Sequence, residues 1–272
     1  MPRPRALAAL VLAAPATALA GCGSTGGPAV PGRTAGPSTT APATASHAAV
    51  PEPRPLHGVT VGIDPGHNGG NHTDLAAITR QVWNGRSRED CNTTGTATDA
   101  GYPESRFTFR VARFLAAELR SQGAEVVMTR HSDDGVGPCV DRRARLLNHA
   151  HADVAIDIHA DGGPPSGRGF AILQPVRSGV NDAVVGPSRR YARLLRDSFA
   201  KTGMPISTYL GDHGLTTRDD LAGLNLTTVP QVLIECGNMR NARDATLLTS
   251  TSFQRRAAAR IAAAMAQFLG RG

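Results

Sequence analysis

Four residues far apart in this chain, His67, Glu104, His159 and Glu235, are of the types that hold a metal and move a proton. Two imidazoles and one carboxylate around Zn²⁺ leave a fourth position for water, the donor set of a catalytic zinc site. A further carboxylate beside such a set can act as general base. Each residue alone has a plainer reading. His67 follows a Gly-containing turn and would be a loop histidine. Glu104 would be a first-turn carboxylate favoured by the helix dipole. Glu235 would be an end-of-strand acid. Three of the four, however, end or follow apolar runs: 59–67 closes on His67, 154–159 closes on His159, and Gln231-Val-Leu-Ile precedes Glu235.

Such runs read as buried strands. In an open α/β sheet, ligands bind at the carboxyl ends of strands, so polar side chains placed there can converge on one cleft. The pattern predicts strands at 59–63, 124–129, 154–158, 169–173 and 232–234. Residues 66–103, rich in Gly, Asn, Asp and Thr, read as a long loop over the site. Phe107, Val111, Phe114, Leu115 and Leu119 recur at helical steps from Glu104, and Gly123 ends that helix. Further helices are predicted at 141–150, 189–200 and 253–269. The alternation predicts a single α/β domain built on a mostly parallel twisted sheet with helices on both faces.

The amino-terminal fifth of the chain differs in composition. Residues 1–22 carry Arg3 and Arg5, then the apolar stretch Ala6–Ala20, which is short for a membrane span and suits an export signal. Leu19-Ala20-Gly21-Cys22 resembles the lipobox of bacterial lipoproteins, with Cys22 lipidated; cleavage after Ala18-Leu19-Ala20 is the competing reading. Residues 23–55 are mostly small and polar or Pro and cannot bury enough surface to offset their ordering entropy, so a disordered tether is expected. That leaves 56–272 for the folded domain. The formal charge is +7, and Lys201 is the only lysine. No basic cluster interleaved with aromatic residues suggests nucleic acid. Cys91 and Cys139 lie in loop-like sequence and are the expected disulfide pair in an exported protein. Cys236 follows an apolar run and is expected as a buried thiol.

Four segments carry a specific resemblance: Ile63-Asp-Pro-Gly-His67-Asn-Gly-Gly70, Glu104 opening a helix, Ile156-Asp-Ile-His159-Ala-Asp161, and Val229-Pro-Gln-Val-Leu-Ile-Glu235-Cys-Gly-Asn238. With the order His, Glu, His, Glu, residues 56–272 resemble a zinc-dependent N-acetylmuramoyl-L-alanine amidase of the amidase-3 type. The resemblance implies that His67, Glu104 and His159 bind zinc and that Glu235 is the catalytic carboxylate. It implies peptidoglycan as substrate, cut between the muramic-acid lactyl group and L-alanine of the stem peptide. The place of action would be the cell envelope, with membrane contact only through a lipid on Cys22. Asp64 and Asp157, on the strands just before two of the ligands, can each receive an imidazole N–H. Two other functions share many of these features: a zinc carboxypeptidase-like peptidase, and a non-catalytic wall-binding lipoprotein.

Overall fold

The computed structural model describes residues 54–271. The expected export segment with Cys22, and nearly all of the expected tether, lie outside the described residues. β1 (Thr60–Pro65) alternates Val61 and Ile63 on one face with Gly62 and Asp64 on the other. The chain then forms a short helix α1 (Leu75–Ile78) and a hairpin of β2 (Gln81–Trp83) and β3 (Arg88–Asp90). The long loop expected over 66–103 is therefore partly structured. The hairpin turns at Asn84-Gly85, where Gly85 takes φ +98°, and the Asn84 side chain accepts hydrogen bonds from the backbone of Arg86 and Ser87.

α2 (Glu104–Ser121) follows, then β4 (Glu125–Met128), α3 (Val140–His149) and β5 (Val154–Asp161). β6 (Ala171–Pro175), α4 (Val185–Phe199), β7 (Leu215–Arg218) and α5 (Ala222–Asn225) lead to β8 (Gln231–Asn238). α6 (Ala242–Thr249) and α7 (Thr251–Phe268) close the domain. The six-stranded sheet has the order β4-β1-β5-β8-β6-β7. β4, β1, β5 and β8 are parallel neighbours, β6 is antiparallel to β8, and β7 is parallel to β6.

Strand side chains alternate between faces, and here the two faces differ in chemistry. Ile63, Ile156, Ile158, Val232 and Ile234 enter the main core with residues of α2, α4 and α7. Phe199 of α4 lies against Phe170, with ring centroids 4.9 Å apart, and near Phe253 of α7. Truncating such a buried ring costs about 3–5 kcal/mol. The opposite face is covered by α3 and α5 in two small clusters, Leu147 with Ala155 and Leu173 with Leu224 and Leu233. The same period of two that sends Ile156, Ile158 and Ile234 into the core sends Asp157, His159 and Glu235 to this thinner face. The site lies there.

Candidate active site

His67 stands two residues beyond β1 in a left-handed conformation (φ 58°), uncommon for a side-chain-bearing residue. Two buried arginines hold the turn that presents it. Arg143 of α3 donates through Nη1 to Asp64 Oδ1 (2.6 Å) and the Pro65 carbonyl (2.7 Å), and through Nη2 to the His67 carbonyl (2.7 Å). Arg130 donates to the carbonyls of Pro65, Gly66 and Ser105, so it joins the end of β1 to the first turn of α2. Burial lowers the Arg130 pKa to about 10, and it remains a cation at neutral pH. Gly66 has no side chain because a Cβ there would collide with the His159 ring.

Glu104 opens α2 and is buried between the two imidazoles. Its Oε2 lies 3.1 Å from His67 Nε2, and its Oε1 2.9 Å from His159 Nδ1. Oε1 also accepts from the Ala160 backbone N–H, and Oε2 from that of Thr96. Burial raises the pKa of this carboxyl, but the charges and hydrogen bonds of His67 and His159 outweigh burial and hold it well below the usual carboxylate range. His159 is shifted the other way: burial lowers its pKa, while Asp157 and Glu104 raise it further, so the net shift is well upward.

One donor atom from each of His67, Glu104 and His159 lies within 4.8 Å of the other two. Ligands bound tetrahedrally at about 2 Å stand roughly 3.3 Å apart, so small side-chain movements suffice to close this set on one dication. The outer nitrogens support the same orientation. His67 Nδ1 faces the Thr93 carbonyl (3.3 Å) and hydroxyl (3.1 Å). His159 Nε2 lies 3.2 Å from Asp157 Oδ1, near enough for attraction, although Oδ1 has no aligned hydrogen bond. An acceptor at the outer nitrogen places the proton there and leaves the inner lone pair for a metal.

Glu235 is the in-register neighbour of His159 on the adjacent strand. Its Oε2 is buried with no hydrogen-bond partner among the described residues. Burial raises its pKa well above the carboxylate norm, His159 opposes that, and the charges of Glu104, Asp161 and Asp157 add to the rise. His67, Glu104, His159 and Glu235 all line one cavity of about 590 Å³. It runs from the His–Glu–His cluster down the sheet face under the hairpin and α5.

Several details depart from the sequence reading. β5 and β8 continue past His159 and Glu235, with a register shift between His159 and Asp161, so these two side chains enter from the sheet face rather than from strand ends. Asp64 does not serve His67: it accepts from Arg143 and, at 2.5 Å, from the Thr129 hydroxyl. Thr93 takes the place beside His67, and no pattern marked it. Arg143 and Arg130 were equally hidden among many exposed arginines. Cys91 and Cys139 are joined in a disulfide, and Cys236 is a buried free thiol. The bridge fastens the end of β3 to the start of α3, beside the cavity.

The sheet order, its single antiparallel junction and the His–Glu–His set lining the cavity define an α/β protein with a candidate catalytic metal centre. The Amidase_3 family, described as N-acetylmuramoyl-L-alanine amidase, matches residues 61–267, and the chain belongs to that family. It is 41% identical over 218 residues to an N-acetylmuramoyl-L-alanine amidase of Mycobacterium tuberculosis, covering 80% of this chain and 89% of that protein. The solved N-acetylmuramyl-L-alanine amidase of Mycobacterium smegmatis superposes with a TM-score of 0.75 at 44% identity, covering 80% of this chain and 99% of the other. The corresponding Mycobacterium abscessus structure, an apo form, gives 0.74 at 41% identity, covering 79% and 100%.

Proposed function

We propose that this protein is a peptidoglycan hydrolase that cuts the amide between the lactyl group of N-acetylmuramic acid and L-alanine of the stem peptide. In this reading His67, Glu104 and His159 hold a zinc ion and Glu235 carries the proton. The observation that supports it most is the in-register pairing of Glu235 with His159, in a chain of the amidase-3 family. When bound, zinc supplies a Lewis acid for the carbonyl and lowers the pKa of water in its open position.

The rest is the work of the chain's own groups. Glu235 Oε2 takes a proton from the attacking water and returns it to the departing amine. A carboxylate whose pKa is raised by burial is a better base near neutrality than an ordinary one; a nearby dication would pull that pKa partly back. The β8 backbone keeps the carboxylate in place, because Ala171 on β6 and His159 on β5 flank Glu235 in the sheet. Thr93 engages the outer nitrogen of His67, and the Asp157 carboxylate attracts that of His159. Arg143 and Arg130 hold the turn that carries His67.

Digestion of purified peptidoglycan with metal-free and zinc-restored protein, followed by mass analysis, tests the reading. Release of intact stem peptides that depends on zinc is expected. Trimming of single residues from the stem C-terminus would instead identify a carboxypeptidase. Zinc binding without hydrolysis would identify a binding protein.

The same reading places the protein outside the cytoplasm, attached to an envelope membrane through lipid on Cys22. No described helix is long and apolar enough to cross a membrane, which is compatible with attachment at the amino terminus. One acyl chain anchors weakly, so stable attachment needs more than one. Mass analysis of the mature amino terminus decides it: a lipidated Cys22 supports the anchor, and an unmodified terminus at Gly21 indicates ordinary signal cleavage.

A further inference from the structure

The cavity is strongly acidic. Asp64, Glu89, Asp90, Glu104, Asp157, Asp161 and Glu235 all line it. Among its lining residues only Arg143 and Arg218 are arginine or lysine. Arg143 is buried and its three nitrogens are spent on Asp64 and backbone carbonyls, including that of Pro138. Arg218 differs. Its Nε and Nη2 donate to the two Asp220 oxygens at 2.7 and 2.6 Å, and Nη1 makes no hydrogen bond with any described residue. Both side chains of the pair are partly exposed, 37% for Arg218 and 56% for Asp220. Such exposed pairs are weak, so the guanidinium can be recruited by another anion.

The sheet fixes where Arg218 stands. Thr216 is level with Leu173 on β6, and Leu173 with Leu233 on β8. By the period of two, Arg218 shares the face of Leu173, Leu233 and Glu235. It is level with Pro175, four residues along from the Ala171 that pairs with Glu235, and two strands away. With about 3.4 Å per residue and 4.8 Å per strand, the Cα separation from Glu235 is roughly 16 Å. The Arg side chain spans a large part of that, leaving a gap that two or three peptide residues fill. The direction is also set. His67 and Glu104 lie on the β1 side of Glu235, and Arg218 on the opposite side. Glu235 protonates the departing amine, so the peptide half of the substrate extends toward β6 and β7.

We propose that Arg218 is a specificity-determining residue that binds a carboxylate on the second or third residue of the stem peptide, so that a free carboxylate there is preferred to its amide. The inference rests on the amidase reading above. The leucines between Glu235 and Arg218 offer no polar partner, so the guanidinium supplies the recognition at that distance. Asp220 occupies Nε and Nη2 and leaves Nη1 for the substrate, where a cationic N–H donor favours a carboxylate over a neutral amide.

The test uses zinc-loaded full-length protein and synthetic muramyl peptides in matched pairs. One pair differs as acid or amide at the second residue, the other at the third. The parent should favour the acid in one pair by about tenfold to a hundredfold in kcat/KM, the scale of one charge-assisted hydrogen bond. Arg218→Gln should bring that ratio near one, through KM rather than kcat. Arg218→Lys should keep part of it. Asp220→Asn should preserve the preference, which separates binding by Arg218 from support of its loop. Equal cleavage of acid and amide by the parent in both pairs, or an equal loss on both forms in Arg218→Gln, overturns the inference alone. No cleavage of any peptide overturns the amidase reading and the inference with it.

Discussion

His159 on β5 and Glu235 on β8 are register partners on adjacent parallel strands. Neighbouring strands lie about 4.8 Å apart, so a candidate metal donor and a carboxylate whose Oε2 has no hydrogen-bond partner among the described residues share one edge of the cavity by backbone pairing alone. No loop has to close to bring them together. This rigidity leads to distinct expectations for each group around the site.

Removing one donor should empty the metal site. His67→Ala and His159→Ala each delete one of the three proposed ligands, and zinc per chain after dialysis should fall sharply in both. Full zinc in either purified variant would remove that residue from the ligand set.

Metal affinity should rise with pH through the neutral range. In the metal-free protein, Asp157 and Glu104 outweigh burial and raise the His159 pKa well above 6.5, so the ring holds its proton to a higher pH than a free histidine. Zinc requires the neutral ring and must displace that proton. Calorimetric titration in two buffers of different ionisation enthalpy should therefore show proton release on binding at pH 7. Proton uptake, or none, would contradict the assignment.

Arg143→Ala should destabilise the fold as well as the site. It leaves Asp64 buried without its cation and takes the donor from the His67 carbonyl, while the Pro65 carbonyl keeps Arg130. Breaking a buried pair costs about 3–5 kcal/mol, visible as a lower midpoint in urea. An unchanged midpoint would mean the turn is held by other contacts.

Replacing both Cys91 and Cys139 by Ser should lower stability. The bridge spans 48 residues, and the chain-entropy model gives about 4 kcal/mol for a loop of that length. Urea unfolding of oxidised and variant protein measures the difference; equal stability would show that the bridge constrains little.

Much of this site was legible in the chain because its residues sit in or beside strongly patterned elements. Val154–His159 and Gln231–Glu235 alternate between core and cleft, and α2 begins at Glu104 as the helical spacing indicated. The parts not read have physical reasons. β2 and β3 have three residues each and no apolar alternation; only Asn84-Gly85, a known hairpin turn signal, betrays them. β7 reads Leu-Thr-Thr-Arg and gains its place by pairing with β6. Arg130, Arg143 and Arg218 look like every other arginine until the fold buries two and aims the third at the cavity.

The most direct measurement pairs two readings on one preparation of Glu235→Gln: zinc per chain, and release of stem peptide from purified peptidoglycan. Gln keeps the size and reach of Glu but cannot accept and return a proton. Zinc should match the parent, while turnover falls by about 10² to 10⁴, the usual contribution of general acid–base assistance. Loss of zinc together with activity would make Glu235 a ligand, and activity retained at the parent level would place the base elsewhere. Either result contradicts the account.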